Sequence, residues 1–251
     1  MTGAPELWVC DLPTIEYREA LALQERVRAA RQQDRICDTL LLLEHPPVYT
    51  RGRRSDVREL PLGEDWYRGQ GIDIVDTDRG GKLTYHGPGQ LVGYPIMRID
   101  DVIAYLRTME QAIVASLAEA GIAAHARPDD GPDFTGVWTA DDRKIASIGV
   151  HVARGVTTHG FAINVQNDLQ PFSWVVACGL DDVQMTSVVQ EIARNAEAPR
   201  PLPAVRASMA TRFAEAFGLT PRRIDLAQLR AEVEELTAAA AAQPTGPVGG
   251  G

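Results

Sequence analysis

Lysine occurs only as Lys82 and Lys144, among 25 basic residues that are otherwise arginine. Arginine therefore serves wherever a plain surface cation is wanted, and the two lysines stand out as groups that can give up a proton near neutral pH where their surroundings lower the pKa, although two lysines left over from a compositional drift fit the same count. Thiols are almost as scarce. Cys10, Cys37 and Cys178 are the three cysteines, too few and too scattered for a disulfide framework or a zinc knuckle. Cys178 precedes Gly179 after the apolar stretch that ends at Ala177. That setting suits an exposed thiol with room for an incoming acyl group, although a buried, inert cysteine fits the same residues. Cys10 and Cys37 sit beside expected strands and read as small buried apolar residues.

The passage Asp78-Arg79-Gly80-Gly81-Lys82-Leu83-Thr84-Tyr85-His86-Gly87-Pro88-Gly89-Gln90 concentrates glycine where a backbone must turn sharply or approach a ligand. It matches neither the dinucleotide fingerprint nor the phosphate loop. Arg79, Thr84, Tyr85, His86 and Gln90 interleave with the glycines and suit the wall of a pocket, with an ordinary glycine-rich hairpin as the alternative. A second cluster joins Arg143–His151 to Thr157–Val165. Alternation along two paired strands would turn one set of side chains inward, with Gly149 and Gly160 leaving room beside the backbone. His86, His151 and His159 come without a helical His pair, an HExxH motif or a cysteine cluster, so hydrogen-bonded structural roles are expected of them and no metal or other cofactor is.

Taken together, RGGKLTYHGPGQ at 79–90, RKIASIG at 143–149, THGFAINV at 158–165 and ACGL at 177–180 resemble, in order and content, the lipoyl(octanoyl) transferase family. EHPPVYTRG at 44–52 is similar to that family's N-terminal portion, so the resemblance spans about residues 7 to 190. Ala177 stands where a proline is expected, and Lys82-Leu83 fill variable positions. The resemblance implies a catalytic domain like those of biotin and lipoate protein ligases. It further implies transfer of an octanoyl or lipoyl group from acyl carrier protein to a lysine of a lipoyl domain, through an acyl-thioester. Acceptors would be the lipoyl domains of 2-oxoacid dehydrogenase complexes and the glycine cleavage H protein. Matched motif by motif, Cys178 is the nucleophile and Lys144 its partner. Arg79, Gly80, Gly81, Lys82, Leu83, Thr84, Tyr85 and His86, with Ser147, Ile148, Gly149, Gly160, Phe161 and Ala162, form the acyl pocket.

Such a pair suits the reaction. A free thiol, with a pKa near 8.5, is only a few per cent thiolate at pH 7. An ammonium about 4 Å away supplies up to ~4 kcal/mol toward ionising it at an effective dielectric of 20, before burial subtracts. A lysine can also pass a proton, which an arginine cannot do readily. Two other readings compete: an ATP-dependent lipoate ligase, which needs no cysteine, and a noncatalytic acyl-carrier-binding protein.

The elements that must position these residues are expected in an α/β (α+β) domain, with a mostly antiparallel mixed sheet flanked by helices. Strands are read at Leu7–Cys10, Asp38–Glu44, Ile72–Val75 and Leu91–Ile99, and a hairpin at Lys144–Val152 and Val156–Val165 turning through Ala153-Arg154-Gly155. Helices are read from a Thr14 cap to about Gln33, over Val102–Ala120 with Asp100 or Asp101 as cap and Gly121 as exit, around Val205–Phe217 ended by Gly218, and over Leu226–Leu236. Arg51–Arg58 reads as a basic loop, and Gly63–Gly71 as a polar one. One catalytic domain over 1–236 with a disordered Ala/Pro/Gly-rich tail at 237–251 is the expected organisation.

The formal charge of −9 argues against nonspecific nucleic-acid binding. Apolar runs fall far short of the roughly 20 residues that cross a bilayer, and the N-terminus lacks a secretory pattern. A cytoplasmic monomer is expected. Acidic carrier and lipoyl domains would dock on a local basic rim, for which Arg51, Arg53, Arg54 and Arg58 are the candidates, a solvated loop being the alternative.

Overall fold

The computed structural model describes residues 4–175, 183–194 and 202–241. Its strands and helices, in chain order, are β1 (Glu6–Thr14), α1 (Tyr17–Gln32), β2 (Asp38–Glu44), β3 (Val48–Arg51), α2 (Glu64–Gly69), β4 (Asp73–Asp76), β5 (Thr84–His86), β6 (Gln90–Ile96) and α3 (Val102–Glu119). There follow β7 (Ala124–Ala126), β8 (Gly136–Thr139), β9 (Lys144–Ala153), β10 (Val156–Asn164), α4 (Gln170–Ser173), α5 (Val188–Arg194), α6 (Leu202–Ala216), β11 (Thr220–Ile224) and α7 (Leu226–Ala241).

The unbroken leucine run of β2 reflects burial on both faces. Leu40 and Leu42 point into a core built with Met109 and Ile113 of α3 and Met209 and Phe213 of α6. Leu41 and Leu43 point the opposite way, to Leu23 and Val27 of α1 and Leu229 and Val233 of α7. Each such fully buried side chain contributes roughly 1.5–3 kcal/mol of apolar burial. β2 thus lies inside a sheet ordered β11-β1-β2-β6-β10-β9-β8-β7, with helices on both faces. Only β11–β1 and β1–β2 pair parallel; the other neighbours in this sheet run antiparallel. A smaller sheet, β4-β3-β5, stands beside it over its own cluster of Tyr49, Tyr67, Tyr85 and Phe172. The mostly antiparallel sheet flanked by helices is therefore present.

Local signals set the structure where one strong preference acts alone. Asp101 accepts from the backbone N–H groups of Ile103 and Ala104 at 2.8 and 3.0 Å, capping α3. Gly121 and Gly218 leave their helices at φ of 76° and 65°. The β9–β10 hairpin turns through Arg154 and Gly155, both at positive φ. Four expectations need correction. Thr14 caps nothing: it ends β1 beyond a register shift between Asp11 and Thr14, and Glu16 begins α1 without a side-chain cap. Of the Arg51–Arg58 loop, Arg51 is the last residue of strand β3 and Val57–Glu59 form a short 3-10 turn, the rest being loop, and the polar Gly63–Gly71 stretch contains helix α2. The last helix runs past Leu236 to Ala241; the remainder of the expected tail lies outside the described residues.

Candidate active site

β9 and β10 supply the floor of the site. Ser147 pairs with Ala162, and Gly149 with Gly160; by alternation all four face the α1 side of the sheet. Only small residues pave this strip, so a cleft opens above it. Phe161 faces away into the α3–α6 core, reaching the cleft only at its edge.

A strap, residues 79–83, roofs the cleft. Arg79 is buried, its guanidinium donating to the Thr50 carbonyl at 2.5 Å and to the Thr50 hydroxyl at 2.8 and 3.1 Å, which ties the strap to β3. The backbone N–H groups of Arg53 and Arg54 donate to the carbonyls of Arg79 and Gly81. Gly52 must be glycine here, because a Cβ would lie 2.5 Å from the Gly81 carbonyl oxygen. At its far edge the strap is pinned to β9 by the Gly80 N–H, which donates to the Val150 carbonyl at 2.8 Å.

Lys144 enters from the first position of β9. It is 2% exposed, and its ammonium lies 5.1 Å from the centroid of the Trp138 ring. Its aliphatic stem leans over Gly136, where a Cβ would come within 3.0 Å of Lys144 Cε and 2.4 Å of the Ala146 carbonyl oxygen. The Gly136 N–H is in turn held at 3.0 Å by the carboxylate of the fully buried Glu110. Lys82, by contrast, sits at the rim 3.6 Å from Asp133.

Cys178 lies outside the described residues, but the chain on either side of its segment is firmly held. Before it, Tyr49 donates to the Pro171 carbonyl at 2.6 Å and Tyr67 to the Trp174 carbonyl at 2.8 Å. After it, the Lys144 N–H donates to the Gln184 carbonyl and the Thr186 N–H to the Lys144 carbonyl, at 2.8 and 3.0 Å. Arg143 then grips Glu191 of α5 with two bonds of 2.8 and 2.9 Å. The other two thiols offer no nucleophile: burial pushes Cys10 and Cys37 each up to about 11, and neither lines the cleft.

Most of the residues expected in the pocket line it: Arg79, Gly81, Lys82, Leu83, Thr84, His86, Lys144, Ser147, Ile148, Gly149, Gly160, Phe161 and Ala162. Two do not. Tyr85 alternates away from Thr84 and His86, and its ring packs 5.5 Å from those of Tyr49 and Phe172. Gly80 acts through its backbone, as the pin on Val150. The cleft also takes in His159 of the second cluster, and Tyr17, Tyr94 and the 132–135 turn, which no local pattern marks. The histidines form no common site. His86 Nδ1 donates to the Gln90 amide oxygen at 2.7 Å, whereas His151 and His159 share Asp78. Burial holds His86 and His159 below the usual histidine range, so both are neutral at pH 7. The expected basic rim is largely self-neutralised, with Arg51 on Asp76 and Glu64, Arg54 on Asp133 and Arg58 on Asp56.

The family profile of the lipoyl protein ligase A/B catalytic domain matches residues 16–213, from the start of α1 into α6. The chain belongs to this family. Among curated relatives of this lipoyl protein ligase A/B family member, the octanoyltransferase of Solibacter usitatus is 50% identical over 67% of the chain and 76% of its own length. The octanoyltransferase of Leifsonia xyli is 41% identical over 79% and 88%, respectively, and that of Mycobacterium tuberculosis 46% identical over 74% and 78%. The family fold recurs in lipoate-protein ligase A bound with ATP, at 20% identity and a TM-score of 0.72 over 94% of both chains. A bi-partite lipoate protein ligase from Thermoplasma acidophilum gives 19% identity and a TM-score of 0.71 over 94% of this chain and 93% of its own.

Proposed function

We propose that Cys178 and Lys144 carry out octanoyl transfer together, with the octanoyl tail lying over Ser147, Gly149, Gly160 and Ala162 beneath the 79–83 strap. Octanoyl transfer itself follows from family membership and from octanoyltransferase relatives that are 41–50% identical. The observation that carries the assignment of residues is Lys144, a buried lysine opening onto a cleft with a floor of small residues and hydrogen-bonded to the segment that follows Cys178. Gln184 lies close enough along the chain that a fully extended backbone could separate it from Cys178 by no more than about 20 Å. With Cys10 and Cys37 held as thiols away from the cleft, Cys178 is the remaining candidate.

In the first half-reaction the Cys178 thiolate attacks the thioester carbonyl of an octanoyl-acyl carrier protein. A new C–S bond forms, the carrier's sulfur leaves, and the Lys144 ammonium gives it a proton. In the second, the amine of a lipoyl-domain lysine attacks the acyl-enzyme. The amide forms, the nitrogen loses its proton to the solvent or to Lys144, and Cys178 is expelled as thiolate. One thioester replaces another in the first step, and the amide makes the second run downhill, so no nucleotide is needed. The acceptors in this reading are lipoyl domains of 2-oxoacid dehydrogenase complexes and the glycine cleavage H protein. The working unit is a single domain acting as a cytoplasmic monomer.

Intact-mass analysis after mixing the chain with octanoyl-acyl carrier protein, without ATP, tests this. One octanoyl adduct is expected on the native chain and none on Cys178→Ala. An adduct that persists in the variant would overturn the role of Cys178.

A further inference from the structure

At His159 the backbone of β10 turns to a φ of 59°, a left-handed conformation uncommon for residues that carry a Cβ and rarer still inside a strand. In a regular strand His159 would point away from the face that carries Gly160 and Ala162. The turn brings it onto the cleft side, where its Nε2 lies 2.7 Å from Asp78 and His151 Nε2 lies 3.4 Å from the same carboxylate. The His159 N–H, drawn out of the sheet ladder, donates to the Gln24 amide oxygen of α1 at 2.7 Å. Backbone strain of this kind persists only where the surroundings hold it, and it gathers at functional sites.

The hydrogen-bond order follows from the chemistry. A carboxylate only accepts, so His159 Nε2 carries the proton and donates to Asp78, leaving Nδ1 to accept from the Tyr17 hydroxyl at 3.3 Å. Both Tyr17 and His159 line the cleft.

This array sits at a measurable distance from the reacting end. The Lys144 stem leans on Gly136, which is in register with Ser147. His159 is in register with Val150, where the strap closes onto β9. Three residue steps separate the two levels, about 10 Å at roughly 3.4 Å each. An extended eight-carbon acyl chain, seven C–C bonds of roughly 1.5 Å in a zigzag, is about 9 Å long. Resting on the octanoyl-transfer reading above, we propose that Tyr17 and His159, backed by Asp78, form the end wall that limits the acyl chain to eight carbons. A longer tail would press methylenes against hydrogen-bonded polar groups whose partners are already taken, instead of finding more apolar wall.

Calorimetric binding of free octanoic, decanoic and dodecanoic acids to the full chain tests the wall without turnover. Affinity should stop rising beyond eight carbons in the native protein. Tyr17→Ala and His159→Asn, the latter keeping a residue that tolerates positive φ, should each shift the decanoic-to-octanoic affinity ratio toward decanoic by roughly tenfold, as two more methylenes become buried. Affinity that climbs steadily through twelve carbons in the native chain would overturn the proposal, as would an unchanged ratio in both folded variants. If the variants do not fold, the native series decides. A native chain that shows the eight-carbon break yet takes no acyl group from the carrier leaves the wall standing and refutes the transfer reading.

Discussion

At the scale of single residues, the site turns on placing an amine where water cannot reach it freely. Lys144 is enclosed by Trp138, the Gly136 backbone and the cleft floor, and its peptide group is bonded to the chain leading back toward Cys178. An arginine in that space would keep a positive charge, but its planar fork needs more room and holds its proton throughout. Lys144→Arg is therefore expected to lower kcat by a hundredfold or more while the variant remains folded, as single-turnover acylation and steady-state transfer would record. Turnover within threefold of the native rate would rule out proton transfer by Lys144. The converse holds for the two inert thiols. Since burial pushes Cys10 and Cys37 up to about 11, a Cys10→Ala/Cys37→Ala double variant should transfer octanoyl within about twofold of the native rate. A larger loss at unchanged thermal stability would implicate one of them in the chemistry.

At the scale of elements, β9 and β10 divide their glycines between binding and folding. A Cβ on Gly149 would meet the Gly80 carbonyl oxygen of the strap at 2.8 Å, whereas one on Gly160 would meet the Gly93 carbonyl oxygen of β6 at 2.2 Å. Gly149→Val should thus lift the strap and fill the acyl floor, raising KM for the octanoyl carrier by tenfold or more, with only a small change in melting temperature. Gly160→Ala should instead cost about 1–3 kcal/mol of stability in denaturant titration, because packed backbone has nowhere to go. If the two variants exchange these signatures, the division is wrong. Much of this framework could be read from the sequence because its signals were local: the leucine run of β2, the Asp101 cap, the glycine exits and the β9–β10 hairpin. Of the small sheet only β4 could, as the strand at Ile72–Val75. β3 is strand because β4 and β5 arrive from elsewhere to pair with it, and α2 holds through Arg51 on Glu64 and a buried Tyr67. The motif passages marked the cleft well, yet which side of β5 Tyr85 occupies depends on a pairing that no local pattern records. The inward turn of His159 depends likewise on Gln24 and Asp78, which are distant in sequence.

At the scale of the whole molecule, the fold keeps three histidines neutral in its interior, and that ties its stability to pH. His45 is fully buried, donating from Nδ1 to the Ile15 carbonyl and accepting at Nε2 from the Tyr94 hydroxyl, both at 2.7 Å; burial lowers its pKa to about 4. His86 and His159 are lowered by the same cause. In the unfolded chain all three take up protons near pH 6.5, so below that pH unfolding binds protons and the folded state loses ground. The stabilisation is full above about pH 6.5 and, for His45, fades as pH falls toward 4. Asp78, lowered to about 2 chiefly by its hydrogen bond with His159, is lost only in a more acidic window, below the ordinary carboxylate range, and so leaves the histidine window undisturbed. Between pH 7 and pH 5 His45 alone should remove about 2 kcal/mol from the unfolding free energy. Urea titrations at the two pH values on the native chain and on His45→Gln should differ by that amount, the variant being less stable at pH 7 but less sensitive to acid. Equal sensitivity in the two proteins would mean that His45 takes up its proton without unfolding the chain, and that the Tyr94–His45–Ile15 chain of bonds can reverse to accept it.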